Sequence, residues 1–203
     1  MVHKKSVGNR HMENDQHEFD DEVFEGHSFD SQNLKSNNYT DCLFDRCTFR
    51  GADLSGARFV DCQFRGCDLS NAIIVDASWQ GVSFVSTKAM GLDFSTSRSF
   101  LFSVSFKGCN LSYTVFSSLS LKGTAFHDCI ITEAYFEKSG LMNASFRGSS
   151  LAGTLFTGCD LRNANFTDAT QYSFLLHENQ VKGMKMDSAS GVALLTAYGI
   201  KID

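Results

Sequence analysis

Seven cysteines and six histidines are the residues of this chain whose chemistry would be most diagnostic, since thiolates and imidazoles serve as metal ligands, nucleophiles and redox groups. Their spacing points elsewhere. Cys42, Cys47, Cys62, Cys67, Cys109, Cys129 and Cys159 include no C-x-x-C pair of the kind that holds zinc. His3, His11, His17, His27, His127 and His177 make no metal or nucleophile constellation with the carboxylates, and no glycine-rich loop is present to cradle phosphate. The chain is therefore read as a non-enzyme with no metal and no cofactor, and its cysteines must answer to something other than catalysis.

They answer to a repeat. A large apolar residue occupies every fifth position, from Phe19 through Phe44, Phe49, Leu54, Phe59, Phe64 and Leu69 to Phe94, with Ala89 as an interruption. After a slip of two residues the ladder resumes at Phe106 and runs through Leu111, Phe116, Leu121, Phe126, Ile131, Phe136, Leu141, Phe146, Leu151, Phe156, Leu161 and Phe166. Phe100, Phe102 and Phe174 are the only phenylalanines off it. A second column of small residues lies two positions before each large one, and all seven cysteines fall in that column beside Ala52, Ala57, Ala72, Ala134, Ala144 and Ala164. Cysteine is then a small core residue.

A helix needs apolar residues at spacings of three and four, and a half-buried strand needs strict alternation; a period of five gives neither. Residues two apart point to one side of an extended segment, so each unit offers one small and one large inward side chain. The remaining residues must turn the chain, and repeated turning of one hand makes a coil whose stacked turns share a core that no single repeat could bury. From Phe106 to Phe166 the ladder alternates Phe with Leu or Ile, a period of ten that stacks like on like only if the coil has an even number of sides. Four sides and twenty residues per turn fit. Cys42 with Cys62, Cys47 with Cys67 and Cys109 with Cys129 then stack on adjacent turns, although parallel Cβ vectors oppose a disulfide.

The units Ala52-Asp53-Leu54, Cys67-Asp68-Leu69, Cys109-Asn110-Leu111 and Ala164-Asn165-Phe166 follow the A(D/N)LXX pattern, and over residues 17–186 the chain resembles the pentapeptide-repeat proteins. The resemblance implies an all-β fold, a right-handed quadrilateral β-helix. About eight coils at a strand spacing of ~4.8 Å would give a rod near 40 Å long.

Three regions interrupt the pattern. Residues 1–16 are expected to form a disordered extension, and residues 11–30 hold eight acids with no Lys or Arg. Residues 95–105 exceed the period by two, which calls for a bulge, a projecting loop or a bend; Ser95, Arg98, Phe100 and Phe102 are candidate partner contacts there. Residues 187–203 are expected to form a capping helix with Ser188 as N-cap and Gly199 as stop, because a solenoid with an open end exposes its core. Leu194, Leu195, Tyr198, Ile200 and Ile202 offer more apolar surface than a cap needs, which points to a homodimer.

The net charge of -5 argues against direct nucleic-acid binding, which takes clustered cations. No window approaches a transmembrane span and no secretory pattern follows the basic start, so a cytoplasmic, membrane-free protein is expected. The layout, and the closing stretch Asp168-Ala169-Thr170-Gln171-Tyr172 through His177, Lys182 and Ala193-Leu194-Leu195, resemble the bacterial topoisomerase-protection proteins of the albicidin-resistance and Qnr quinolone-resistance types. That resemblance implies a dimer of DNA-mimicking rods that engages DNA gyrase or topoisomerase IV, with no catalytic residues. Residues 31–168 hold twelve acids and twelve bases, so mimicry requires acids gathered on one face, for which Asp41, Asp61, Asp53 and Asp93 are the candidates. A general protein-interaction scaffold without a topoisomerase target is the competing reading.

Overall fold

The structure is a computed structural model that describes residues 5–6 and 17–201. Each unit turns because the second residue after the large core position adopts a left-handed backbone. Asp41 (φ 53°), Asp61 (φ 51°) and Gly81 (φ 65°) occupy successive turns of one such corner. Asp tolerates this conformation better than most side chains because its carboxylate can bond locally. Glycine leaves room where the preceding turn's side chain folds over the corner: a Cβ on Gly81 would come 2.2 Å from Asp61 Oδ1, and one on Gly148 2.4 Å from Asp128 Oδ1, so either aspartate would have to swing away.

The coil has four faces, here called the Tyr39, Phe44, Phe49 and Leu54 faces. On the Phe44 face a seven-stranded parallel sheet runs from Lys5–Ser6 and Glu22–Glu25 to Val104–Lys107 and Phe126–His127. On the Tyr39 face four strands pair, Glu18–Asp20, Asn38–Thr40, Arg58–Val60 and Ser78–Gln80. Partners lie twenty residues apart, as in Phe44 with Phe64 or Asn110 with Ile130. The Phe44 face carries eight stacked rings, Phe24, Phe44, Phe64, Phe84, Phe106, Phe126, Phe146 and Phe166, at centroid steps of 4.6 to 5.3 Å. These eight rings enclose about seven turns, and the ladder runs on past Phe166 with Lys185 opposite Asn165.

Across the break the register shifts by two on the other continuous faces, with Lys88 opposite Asn110 and Asp93 opposite Val115. Phe84 remains stacked on Phe106 at 5.0 Å and Phe94 on Phe116 at 5.0 Å. The extra residues are therefore absorbed in one bulge on the Tyr39 face, whose sheet ends at Gln80.

All the cysteines are buried and free. The structure adds a role to their packing: Cys47 Sγ donates to Phe24 O at 3.2 Å and Cys67 Sγ to Phe44 O at 3.2 Å, each in the turn below. Thr87, Ser139 and Ser149 hydroxyls in the same column donate to Phe64, Phe116 and Phe126 carbonyls at 3.1, 2.7 and 2.7 Å. The hydrogen bond to Cys47 and then burial push the Cys67 thiol up, and burial does the same to Cys159, which removes the thiolate that reactivity would need.

Helix α1 spans Ser188–Ala197. Its N-cap is Asp187 rather than Ser188, because residue 187 has an extended backbone and Gly191 N already donates to Asp187 O at 2.9 Å. The Asp187 carboxylate accepts instead from Asp168 N at 2.7 Å, tying the helix to the last full turn. Phe174, off the repeat in the sequence, is buried against Phe156 and Phe166 and closes the core where Leu176 is only half-buried.

Candidate functional site

With the core sealed, contacts to a partner must come from the outside of the coil, where most of the candidates lie. The four candidate acids divide between two faces. Asp41 and Asp61 share a corner of the Tyr39 face, both exposed. Asp53 and Asp93 sit on the Leu54 face and are used locally: Asp53 accepts Ser55 N at 3.0 Å and meets Lys35 Nζ at 3.0 Å, while Asp93 accepts Ser95 N at 3.0 Å and caps the 3-10 turn Phe94–Thr96. Ser95, expected to face a partner, is held by that cap.

On the Tyr39 face before the break, Asp41 and Asp61 continue a strip begun by Glu18, Asp20 and Asp21, against one cation among the described residues, Arg58. On the Phe44 and Phe49 faces of the early turns three acids are matched from turn to turn. Arg50 forks onto Asp30 at 2.9 and 2.5 Å, Arg65 onto Asp45 at 3.1 and 2.9 Å, and Arg46 meets Glu25. The Arg50 and Arg65 guanidiniums hold the Asp30 and Asp45 carboxyls below the usual carboxylate range.

The bulge presents Phe100, 77% exposed, and Leu101, 60% exposed, with Arg98 exposed beside them. Phe102 points the other way: half-buried, it packs edge-on to Phe94 at 6.1 Å and fills the core level that the repeat skips. Leu101 was not among the sequence candidates; the two-residue excess marks the bulge but not which of its residues turn outward, and Leu101 does so through a φ of 57°.

At the C-terminus Leu194, expected at a dimer interface, is 7% exposed and serves the cap, and Leu195 is half-buried. Tyr198 and Ile200 remain exposed with Val192, and Tyr198 Oη accepts from Leu176 N at 2.5 Å. Ile202 lies outside the described residues. Among the described residues no group of three or more His, Cys, Asp or Glu could hold a metal ion, and no helix is long and apolar enough to cross a membrane.

A four-sided coil with a ring-stacked core and outward polar corners defines a β-solenoid of five-residue units. Residues 33–84 match the family of pentapeptide repeats (9 copies) and residues 99–186 match the pentapeptide repeat region family; the chain belongs to the pentapeptide-repeat family. No curated protein matches it. Among solved structures it is similar to trypsin-treated QnrB1, a plasmid-mediated fluoroquinolone resistance protein, at 23% identity over 93% of this chain and 100% of that one, TM-score 0.44. HetL of Nostoc sp. strain PCC 7120, involved in heterocyst differentiation regulation, is 19% identical over 83% and 84% of the two chains, TM-score 0.43. A pentapeptide repeat protein of the Arabidopsis thaliana thylakoid lumen is 20% identical over 69% and 65%, TM-score 0.23.

Proposed function

We propose that the protein is a non-catalytic docking rod that engages DNA gyrase or topoisomerase IV as a DNA mimic and shields it from an antibiotic of the albicidin or quinolone type. The observation that carries this reading is the acidic strip of the Tyr39 face, where Glu18, Asp20, Asp21, Asp41 and Asp61 follow one another over three rungs and, among the described residues, Arg58 is the one cation. At a rung step of about 4.8 Å the strip sets carboxylates in a straight row, which suits a groove lined by Lys and Arg that otherwise holds phosphate. Phe100 and Leu101 would add an apolar anchor at the end of the strip. Homodimerisation through α1 belongs to the same reading and is supported by exposed Val192, Tyr198 and Ile200 on or just beyond a helix that carries no charged residue.

The test is gyrase supercoiling with and without albicidin or a quinolone as purified protein is titrated in. Inhibition or rescue at micromolar protein is expected, lost in an Asp41→Lys, Asp61→Lys variant. No effect of the parent protein on supercoiling or on drug action would sink the reading. A general interaction scaffold is favoured by a different observation, the turn-to-turn pairing of Asp30, Asp45 and Glu25 with arginines, which leaves the Phe44 and Phe49 faces of the early turns with little net field.

A further inference from the structure

The outward residue at the middle of each unit, between the small and large core positions, is small or polar on most faces beyond the break. Ser105, Ala125, Ser145 and Asn165 hold it on the Phe44 face, and Ser120, Gly140, Asp160 and Gln180 on the Tyr39 face. The Leu54 face differs. There it is Val115, Tyr135 and Leu155, twenty residues apart, with Val115 opposite Tyr135 and Tyr135 opposite Leu155, and Leu175 follows where the ladder gives way to the 3-10 turn Leu176–Glu178. Tyr135 is 47%, Leu155 53% and Leu175 46% exposed. Strands Tyr135–Glu137 and Leu155–Thr157 hold the row flat, and a shallow depression opens between them, lined by Tyr135, Phe136, Glu137, Leu155 and Thr157. Asp93, opposite Val115 on its other side, ends the row with a charge.

We infer that this row is the docking surface for an amphipathic α-helix with basic flanks, supplied by a partner protein and laid along the rod axis. Width excludes a side-by-side dimer of rods. Four half-exposed side chains offer a few hundred Å² at most, short of the ~800 Å² per partner that stable association takes. Period selects the helix. Two rung steps, Val115 to Tyr135 to Leu155, cover ~10 Å, against ~11 Å for two turns of α-helix and ~13 Å for two same-face steps of a strand. One apolar side chain per helical turn therefore stays within about 2 Å of its rung along the row. Charge selects the flanks: Glu133, Glu137 and Glu178 edge the row on its two corners against a single cation, Lys138, which is bridged to Glu137 at 2.9 Å. The inference is independent of the topoisomerase reading, because the row and the acidic strip occupy different faces on opposite sides of the break.

The probe is a fluorescein-labelled Leu/Lys peptide of about 14 residues with leucine on one helical face, read by anisotropy against a shuffled peptide of the same composition. Binding in the micromolar range is expected, weakened about tenfold or more by Leu155→Asp and unchanged by Ile130→Asp, an equally exposed apolar site on the Phe49 face. Leu155→Ser, with an unchanged thermal melt, replaces the aspartate variant if that one folds poorly. Equal binding of the shuffled peptide, or indifference to both Leu155 variants, overturns the inference. So does a parent dimer that Leu155→Asp converts to monomer in sedimentation, or capture by phosphatidylglycerol vesicles that the same change abolishes. Gyrase supercoiling by the Leu155 variants should equal that of the parent, which keeps failure of this inference distinct from failure of the proposed function.

Discussion

Before the break the aromatic columns stand on neighbouring faces, with Phe59 edge-on to Phe64 at 5.4 Å; beyond it they stand on opposite faces and meet across the axis, with Phe116 to Phe126 at 5.5 Å and Phe126 to Phe136 at 5.7 Å. The switch happens at Phe94, which begins the Leu54-face stack that Phe116 continues, while the Tyr39-face stack ends at Trp79. Outward, the two halves differ more. The Tyr39 face carries its acidic strip in the early turns but Lys122, Arg162 and Lys182 in the later ones, and the Leu54 face changes from Asn33 and Asp53 to Tyr135 and Leu155. Packing limits which columns hold rings, whereas nothing in the core limits what the corners and face centres display. The scaffold is common to both halves and the displayed faces are not.

The largest effect should come from the shared part. Phe64→Ala and Phe126→Ala each empty a fully buried position in one half, and each should cost about 3–5 kcal/mol in urea unfolding. A loss below ~2 kcal/mol in one half only would break the comparison at its base. Next come the corners: Gly81→Ala and Gly148→Ala should each cost about 1–2 kcal/mol through the left-handed backbone alone, with a further cost from the aspartate folded over each glycine. Unequal losses would show that the two halves turn by different rules. Cys67→Ala and Cys159→Ala should each cost up to about 1 kcal/mol by removing a thiol hydrogen bond to a carbonyl of the turn below, while the serine variants, able to donate as Ser139 does, should cost less.

Acid should produce the smallest change, and it separates the halves. Asp30 and Asp45 are held below the ordinary value of 3.8 by arginines one turn away, and Asp160 by Arg162 in its own turn. A carboxyl depressed in the folded state stabilises above its unfolded value and loses that contribution as pH falls through the folded one. Melting temperature should therefore drop modestly from pH 5 toward pH 2–3, and Arg65→Gln should flatten that drop. An identical profile in the variant would mean that the turn-to-turn forks add nothing.

The architecture was legible because Phe and Leu at every fifth place leave little else to build, and the Phe-to-Leu alternation after Phe106 anticipated the like-on-like stacking. The break at 95–105 was legible as an excess of two residues. Its shape was not, since whether Phe100 or Phe102 turns inward depends on filling the level between Trp79 and Leu121. The donor role of the cysteines was hidden because Ala shares their column, and only the pairing of one turn's thiol with a carbonyl of the turn below reveals it. The row at Tyr135 and Leu155 was present as a twenty-residue period in outward positions, masked by the stronger five-residue period of the core. The burial of Leu194 was not legible, because an apolar helix in sequence does not say which side meets the end of the coil.

Trp79, the chain's one tryptophan, ends the Tyr39-face stack fully buried on Phe59, with its indole N–H donated to Ser97 Oγ at 3.1 Å. Ser97 begins the run that swings out to Phe100 and Leu101. The indole is thus an optical gauge for this segment: a change that moved Ser97 would break its hydrogen bond to Trp79 and would be read in the tryptophan emission without a label.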